Sequence, residues 1–97
     1  MIRRDGERLY VSGPVTLANV AGLLEEARTA FADGVRAVDL GEVTELDSSL
    51  LALLLSWLRE AKGRGRELSF TRLPQDLVTL AQLYGVAQLL PQDTAPS

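Results

Sequence analysis

The chain has 97 residues, 46% of them hydrophobic and 24% charged, with a formal net charge of −3. This is the profile of one soluble globular domain, not of a disordered chain or one drawn to free nucleic acid. There is no Cys and no His, which excludes disulfides and thiolate metal sites and removes the commonest general base and metal ligand.

In chain order, residues 2–4 form a short strand turned by Asp5-Gly6 into a second strand over 8–13. Leu9 and Val11 lie on one face of that strand and Tyr10 on the other. Pro14 ends this unit. Leu17, Val20, Ala21, Leu24, Ala27 and Phe31 recur at helical spacing and predict a helix over 17–32, stopped at Asp33-Gly34. Residues 35–40 alternate as a strand with Val38 and Leu40 on one side, and 41–46 read as a polar loop. A second helix then runs to about Lys62 and is broken by the Gly and Arg residues of 63–66.

Residues 67–73 supply another strand, with Leu68 and Phe70 inward. Pro74 and Asp76 suit the first turn of a third helix, whose buried face is Leu77, Leu80, Ala81 and Tyr84. Gly85 is placed to end it as the left-handed residue of a Schellman motif, with Val86 packing back. Leu89 and Leu90 are expected to dock, and 93–97 to form a flexible tail after a domain over 1–92. Helices linking successive strands imply parallel pairing in the middle of the sheet. The expected fold is a small single α/β domain with about three helices on a mixed four-stranded sheet.

The N-terminal basic pair is not followed by an apolar run. The longest such run, 50–55, is far short of the ~20 residues that span a membrane. The chain therefore reads as cytoplasmic.

The residues offer little to catalysis. Gly63 and Gly65 lie between a helix and a strand, not at a strand-to-helix turn, and no Gly-Lys-Ser/Thr follows. Glu42, Glu45 and Asp47 read as solvated loop charges, not metal ligands. A Ser nucleophile would have no His, and the single Lys, Lys62, sits at the far end of the same helix. The expectation is a non-enzyme with no cofactor and no metal. Arg59, Lys62, Arg64 and Arg66 complement the negative end of the second helix. Contact with anionic lipid headgroups or an acidic partner is the sharper reading of the same cluster.

Asp47-Ser48-Ser49, at the start of the second helix, has a sufficient local explanation. Ser48 or Ser49 can cap the free N–H groups of the first turn, and Asp47 adds favourable charge. On a helical wheel Leu51, Leu54, Leu58 and Ala61 form a core stripe, with Leu55 beside it, and Leu50, Leu53 and Trp57 form a second, offset stripe. Together they cover about 200°, where ~100° suffices for one core-facing side. Either neighbouring helices bury the flank as well, or Leu53 and Trp57 border a partner site.

Three segments carry a family resemblance: "AVDLGEVTELD", "SSLLALLLSWLREAKGRGRELSFTRLP" and "LYGVAQLLP". Together they are similar to STAS domains, a family that includes anti-sigma factor antagonists, the tails of sulfate transporters and a small subunit of the Mla lipid-transport ABC complex. The family pattern falls on Asp39-Leu40 and then on Asp47-Ser48-Ser49, with Leu50 where Gly is usual and Leu51 at the family's Leu. In the antagonist branch the resemblance implies phosphorylation of Ser48 by an anti-sigma kinase. Leu50 and the dense Leu run depart from that branch.

"LALLLSWLREAKGRG", "LPQDLVTLAQLYGV" and the final "LLP" resemble the Mla branch more closely. That resemblance implies an accessory subunit without catalysis that binds and supports the ATPase of a phospholipid transporter maintaining outer-membrane lipid asymmetry. Its partners would be the ATPase, within a complex with a membrane permease and a substrate-binding protein. It would involve no nucleic acid and no membrane insertion, and would sit at the inner membrane only through the complex. The implied contact residues are Asp47, Ser48, Ser49, Leu50, Leu53 and Trp57, with Leu23 on the first helix. The alternatives are an anti-sigma factor antagonist regulated by Ser phosphorylation and a lipid-carrying or ligand-binding domain.

Overall fold

The computed structural model describes residues 1–32 and 34–91, with side chains left undescribed at 31–32. Strands β1 (Ile2–Asp5) and β2 (Arg8–Val15) form an antiparallel hairpin closed at the Asp5–Arg8 pair. Gly6 takes the left-handed conformation that this tight turn requires, with φ of 63°. Helix α1 (Val20–Ala32) leads to β3 (Ala37–Leu46), which pairs parallel with β2. Helix α2 (Ser48–Gly63) leads to β4 (Ser69–Thr71), parallel to β3, and α3 (Gln75–Leu83) follows. The strand order β1-β2-β3-β4 gives the expected mixed four-stranded sheet.

Strand alternation sets the core. Leu9, Val11 and Val15 of β2, Val38 and Leu40 of β3 and Phe70 of β4 are buried in one cluster with residues from all three helices. The intervening positions of these strands carry Arg8, Tyr10, Asp39 and Thr71, with Arg3 of β1 beside them. Tyr10, Asp39 and Thr71 sit in register across β2, β3 and β4, and the Arg3 guanidinium lies 4.5 Å from the Tyr10 ring centroid.

The structure revises several boundaries. Residues 41–46 are not a loop: β3 continues to Leu46 because β2 continues beside it, through Ser12–Glu42, Gly13–Val43, Pro14–Glu45 and Val15–Leu46. Its exposed, polar side chains, Glu42, Thr44 and Glu45, hid the strand, while Val43 and Leu46 pack against the core. Pro14 does not end β2 but lies next to a register irregularity, where a missing N–H is tolerated.

Helix α1 begins at Val20 rather than 17, after a turn in which the Thr16 carbonyl accepts from the Asn19 and Val20 N–H groups. Asn19 Oδ1 accepts the Thr16 N–H at 2.9 Å in return. Its inward stripe is Leu23 and Ala27, with Val20 and Ala30 packed against the core, while Leu17, Ala21 and Leu24 are exposed. The stripe is thus turned by about one residue, or ~100°. The expectation for Phe31 and the stop at Asp33 lie outside the described residues.

At the other end, β4 is shorter than the expected 67–73. Arg72 just after it has a positive φ of 53°, and the chain turns there toward α3. The α3 terminus is the Schellman motif that Gly85 foretold. The Val86 N–H donates to Ala81 O and the Gly85 N–H to Gln82 O, with Gly85 at φ 71°. Tyr84, expected inside, is 60% exposed, because it is the C-cap residue and the helix has already turned away. Leu90 docks in the core as expected, whereas Leu89 is exposed. The tail expected over 93–97 lies outside the described residues.

Candidate docking site

Asp47 organises the start of α2. It is the N-cap, in extended conformation, and its Oδ1 accepts the Ser49 N–H at 2.8 Å. Its Oδ2 accepts the Leu17 N–H at 3.1 Å, so one carboxylate ties α2 to the turn that precedes α1. These bonds favour the ionised form. The Leu17 N–H, then the Ser49 N–H and the Ser49 hydroxyl, hold the Asp47 carboxyl below its ordinary value. The sequence expectation gave the cap to Ser48 or Ser49. Asp47 takes that role instead, and Ser48 is left exposed on the surface of the first turn.

The apolar members of the expected contact set are elsewhere. Leu50, Leu53, Trp57 and Leu23 are core residues, with Trp57 1% and Leu53 2% exposed. Helix α2 packs against both α1 and α3, so both of its flanks are covered. Its wide apolar arc is the consequence of a middle position in the helical layer. Of the expected site, Asp47, Ser48 and Ser49 stand together at an accessible place, and the four apolar residues serve the packing beneath it.

What the sequence did not suggest is the wall beside Ser48. A groove of about 400 Å³ runs between the start of α2 and α3, lined by Leu46, Asp47, Ser48, Asp76, Thr79, Leu80 and Tyr84. The α3 residues were hard to find because Leu80 and Tyr84 fit the periodic apolar stripe and were assigned to the core. A second groove, of about 310 Å³, lies on the α1 side of α2 among Leu24, Arg28, Ser56, Trp57, Arg59 and Glu60. Near it Glu60 pairs with Arg64 at 3.1 Å, and Arg59, Lys62, Arg64 and Arg66 are exposed around the end of α2.

A second ordered carboxylate, Asp39, lies on the opposite side of the sheet from the helices. It is 6% exposed, and Arg72 binds it through Nε at 3.0 and 3.1 Å and through Nη2 at 3.0 Å. The Gly41 N–H donates to its Oδ1 at 2.8 Å, and Arg8 Nη1 stands 4.0 Å from Oδ2. Burial pushes the Asp39 carboxyl up. The Arg72 hydrogen bond, the Gly41 N–H and the charges of Arg72 and Arg8 outweigh it and leave the carboxyl below its ordinary value. A Cβ on Gly41 would lie 2.5 Å from the Arg72 guanidinium, so glycine is what lets Arg72 close over β3. This cluster fastens the β4–α3 connection to the sheet.

No helix among the described residues is long and apolar enough to cross a membrane. The family model described as "Mlab, STAS domain" matches residues 1–91. Over 93 residues the chain is 33% identical to the intermembrane phospholipid transport system binding protein MlaB of Escherichia coli, covering 96% of this chain and 91% of that protein. The MlaB of Shigella flexneri matches equally. Among solved structures, the unphosphorylated anti-sigma factor antagonist SpoIIAA superposes with a TM-score of 0.71 at 15% identity, covering 97% of this chain and 87% of that one. A putative anti-sigma factor antagonist from Thermotoga maritima gives 0.75 at 10% identity, covering 95% and 83%. At such identities these structures establish the shared fold alone. By its sequence over residues 1–91 and by its fold, the chain belongs to the MlaB-type STAS domain family.

Proposed function

We propose that this protein is a non-enzymatic accessory subunit of an ABC-type phospholipid transport system, and that it binds and supports the ATPase subunit through the start of α2. It acts at the cytoplasmic side of the inner membrane, held there by a complex with a membrane permease and a substrate-binding protein. The observation that carries this reading is the 33% identity over 96% of the chain to a protein named for intermembrane phospholipid transport. The exposed Ser48, on a first turn fixed by Asp47, supports the location of the contact.

The test is co-purification with the ATPase subunit of the same organism's phospholipid transporter. Ser48→Arg is expected to leave the fold intact, by circular dichroism, and to abolish the complex; a complex that survives would place the contact elsewhere. Leu53→Asp is unsuited to this purpose, since Leu53 is in the core and its loss reports on folding.

Exposure of Ser48 at a helix N-terminus also suits a phosphate, which such a terminus stabilises. That favours the second reading, an anti-sigma factor antagonist. Incubation with an anti-sigma kinase and ATP, followed by intact mass measurement, decides it: no added phosphate on Ser48 removes this reading.

A further inference from the structure

We propose that the groove between the start of α2 and α3 receives a basic, apolar-tipped segment of the partner, a Lys or Arg side chain beside a large hydrophobic one. This rests on the reading above, in which the partner is the transporter ATPase and the start of α2 is the contact.

The charge of the groove selects the occupant. Asp47 and Asp76 both line it, and among the described residues no Lys or Arg does. Two helix N-termini, those of α2 and α3, open beside it and each contributes roughly half a positive charge. Against two carboxylates this leaves a net of about one negative charge, so the groove favours a cation and disfavours an acidic segment. The carboxylate of Asp47 is already oriented by two backbone N–H groups. It therefore presents its remaining lone pairs without the cost of ordering a side chain.

The walls select the second feature. Leu46, Leu80 and Tyr84 supply apolar surface, and Tyr84, exposed at the α3 C-cap, offers an aromatic face of the kind enriched at binding hot spots. The groove is shallow and open to solvent, which suits side chains laid against it and not an enclosed small molecule. Thr79 on the rim can hydrogen-bond a partner backbone, although in the free chain its hydroxyl donates to Gln75 O at 3.1 Å.

Affinity of the full chain for the purified ATPase, measured by calorimetry at low and high salt, tests this. Asp76→Lys and Tyr84→Ala are expected to weaken binding at least tenfold, and Asp76→Lys to flatten the salt dependence. Arg59→Glu, in the groove on the other flank of α2, is expected to change affinity less than twofold. Reversing the matching cation on the ATPase should restore binding to Asp76→Lys.

If Asp76→Lys and Tyr84→Ala bind like wild type while Ser48→Arg does not bind, the groove inference falls and the contact at α2 stands. If the wild-type chain binds no ATPase, both fall. If the groove variants instead abolish a concentration-dependent dimer, the occupant is a second copy of this chain and the proposal is overturned.

Discussion

Helix α2 carries two regions that look alike in composition only at their border. Its body, from Leu50 to Ala61, is sealed on both flanks, and six of its residues are buried. Its first turn, Asp47 to Ser49, is held by hydrogen bonds to backbone and stays at the surface. The body is fixed by apolar area removed from water, which is non-directional. The start is fixed by a carboxylate in one geometry, which is directional. A surface needs the second kind of order to be recognised, and it relies on the first kind to keep the helix beneath it from shifting.

The largest effect should come from breaking the body. Trp57→Ala removes a ring that is almost wholly enclosed, and a loss of about 3–5 kcal/mol is expected from the lost burial and the cavity. Leu53→Ala is expected to cost about 2–5 kcal/mol for the same reason. Urea unfolding measures both. If either costs under about 1 kcal/mol, the flank is not sealed, and the residue becomes available as a surface contact.

The next effect concerns the two ordered carboxylates. Removing Asp39 leaves Arg72 and Arg8 without their common partner. Breaking a fully buried pair costs ~3–5 kcal/mol, but both arginines keep solvent contact, so Asp39→Ala is expected to cost about 2 kcal/mol. Gly41→Ala should reproduce about half of that by pushing the Arg72 guanidinium away.

The pH dependence has a definite sign. Both Asp39 and Asp47 have a folded pKa below the unfolded one. The unfolded chain therefore takes up their protons first as the pH falls. The stabilisation is complete above the ordinary carboxylate value of 3.8 and is lost as the pH drops through the lower folded values. Asp47→Ala is expected to lower the melting temperature at pH 7 by less than Asp39→Ala does, and to shrink the loss on acidification. A melting temperature that rises on going below pH 4 would contradict both assignments.

The parts of the molecule differ in how far their residues announced them. The strands with alternating apolar residues, such as Leu9 and Val11 or Val38 and Leu40, were legible because one face is buried and the period is fixed. So was the Gly85 terminus, since only a few residues accept its positive φ. The second half of β3 was not, because Glu42, Thr44 and Glu45 face solvent and the strand is held by main-chain pairing with β2. The α1 stripe was turned by one residue because Leu23 and Leu24 are adjacent, and only packing against α2 decides between them. At the candidate site the family pattern located Asp47, Ser48 and Ser49. Whether Leu50, Leu53 and Trp57 faced outward depended on how the neighbouring helices pack against α2, with Trp57 on its α1 side, which is a tertiary fact with no local signal. The exposure of Tyr84 depended likewise on where α3 stops.

The smallest expected effect on stability is also the one that separates the two regions most sharply. Ser48 is exposed and takes no part in the cap, which belongs to Asp47. Ser48→Ala and Ser48→Arg should therefore each change the unfolding free energy by no more than about 0.5 kcal/mol, as for other surface positions. Their effects on ATPase binding should differ. Ala removes a hydroxyl and leaves the groove open, so affinity should stay within about threefold. Arg places a long cation at the mouth of a groove whose carboxylates would otherwise face the partner's own cation, and affinity should fall at least tenfold. If Arg lowers stability as much as Leu53→Ala does, Ser48 belongs with the sealed body. If Ala alone abolishes binding while stability is unchanged, the hydroxyl itself makes the contact, and recognition depends on Ser48 more than on the acidic groove beside it.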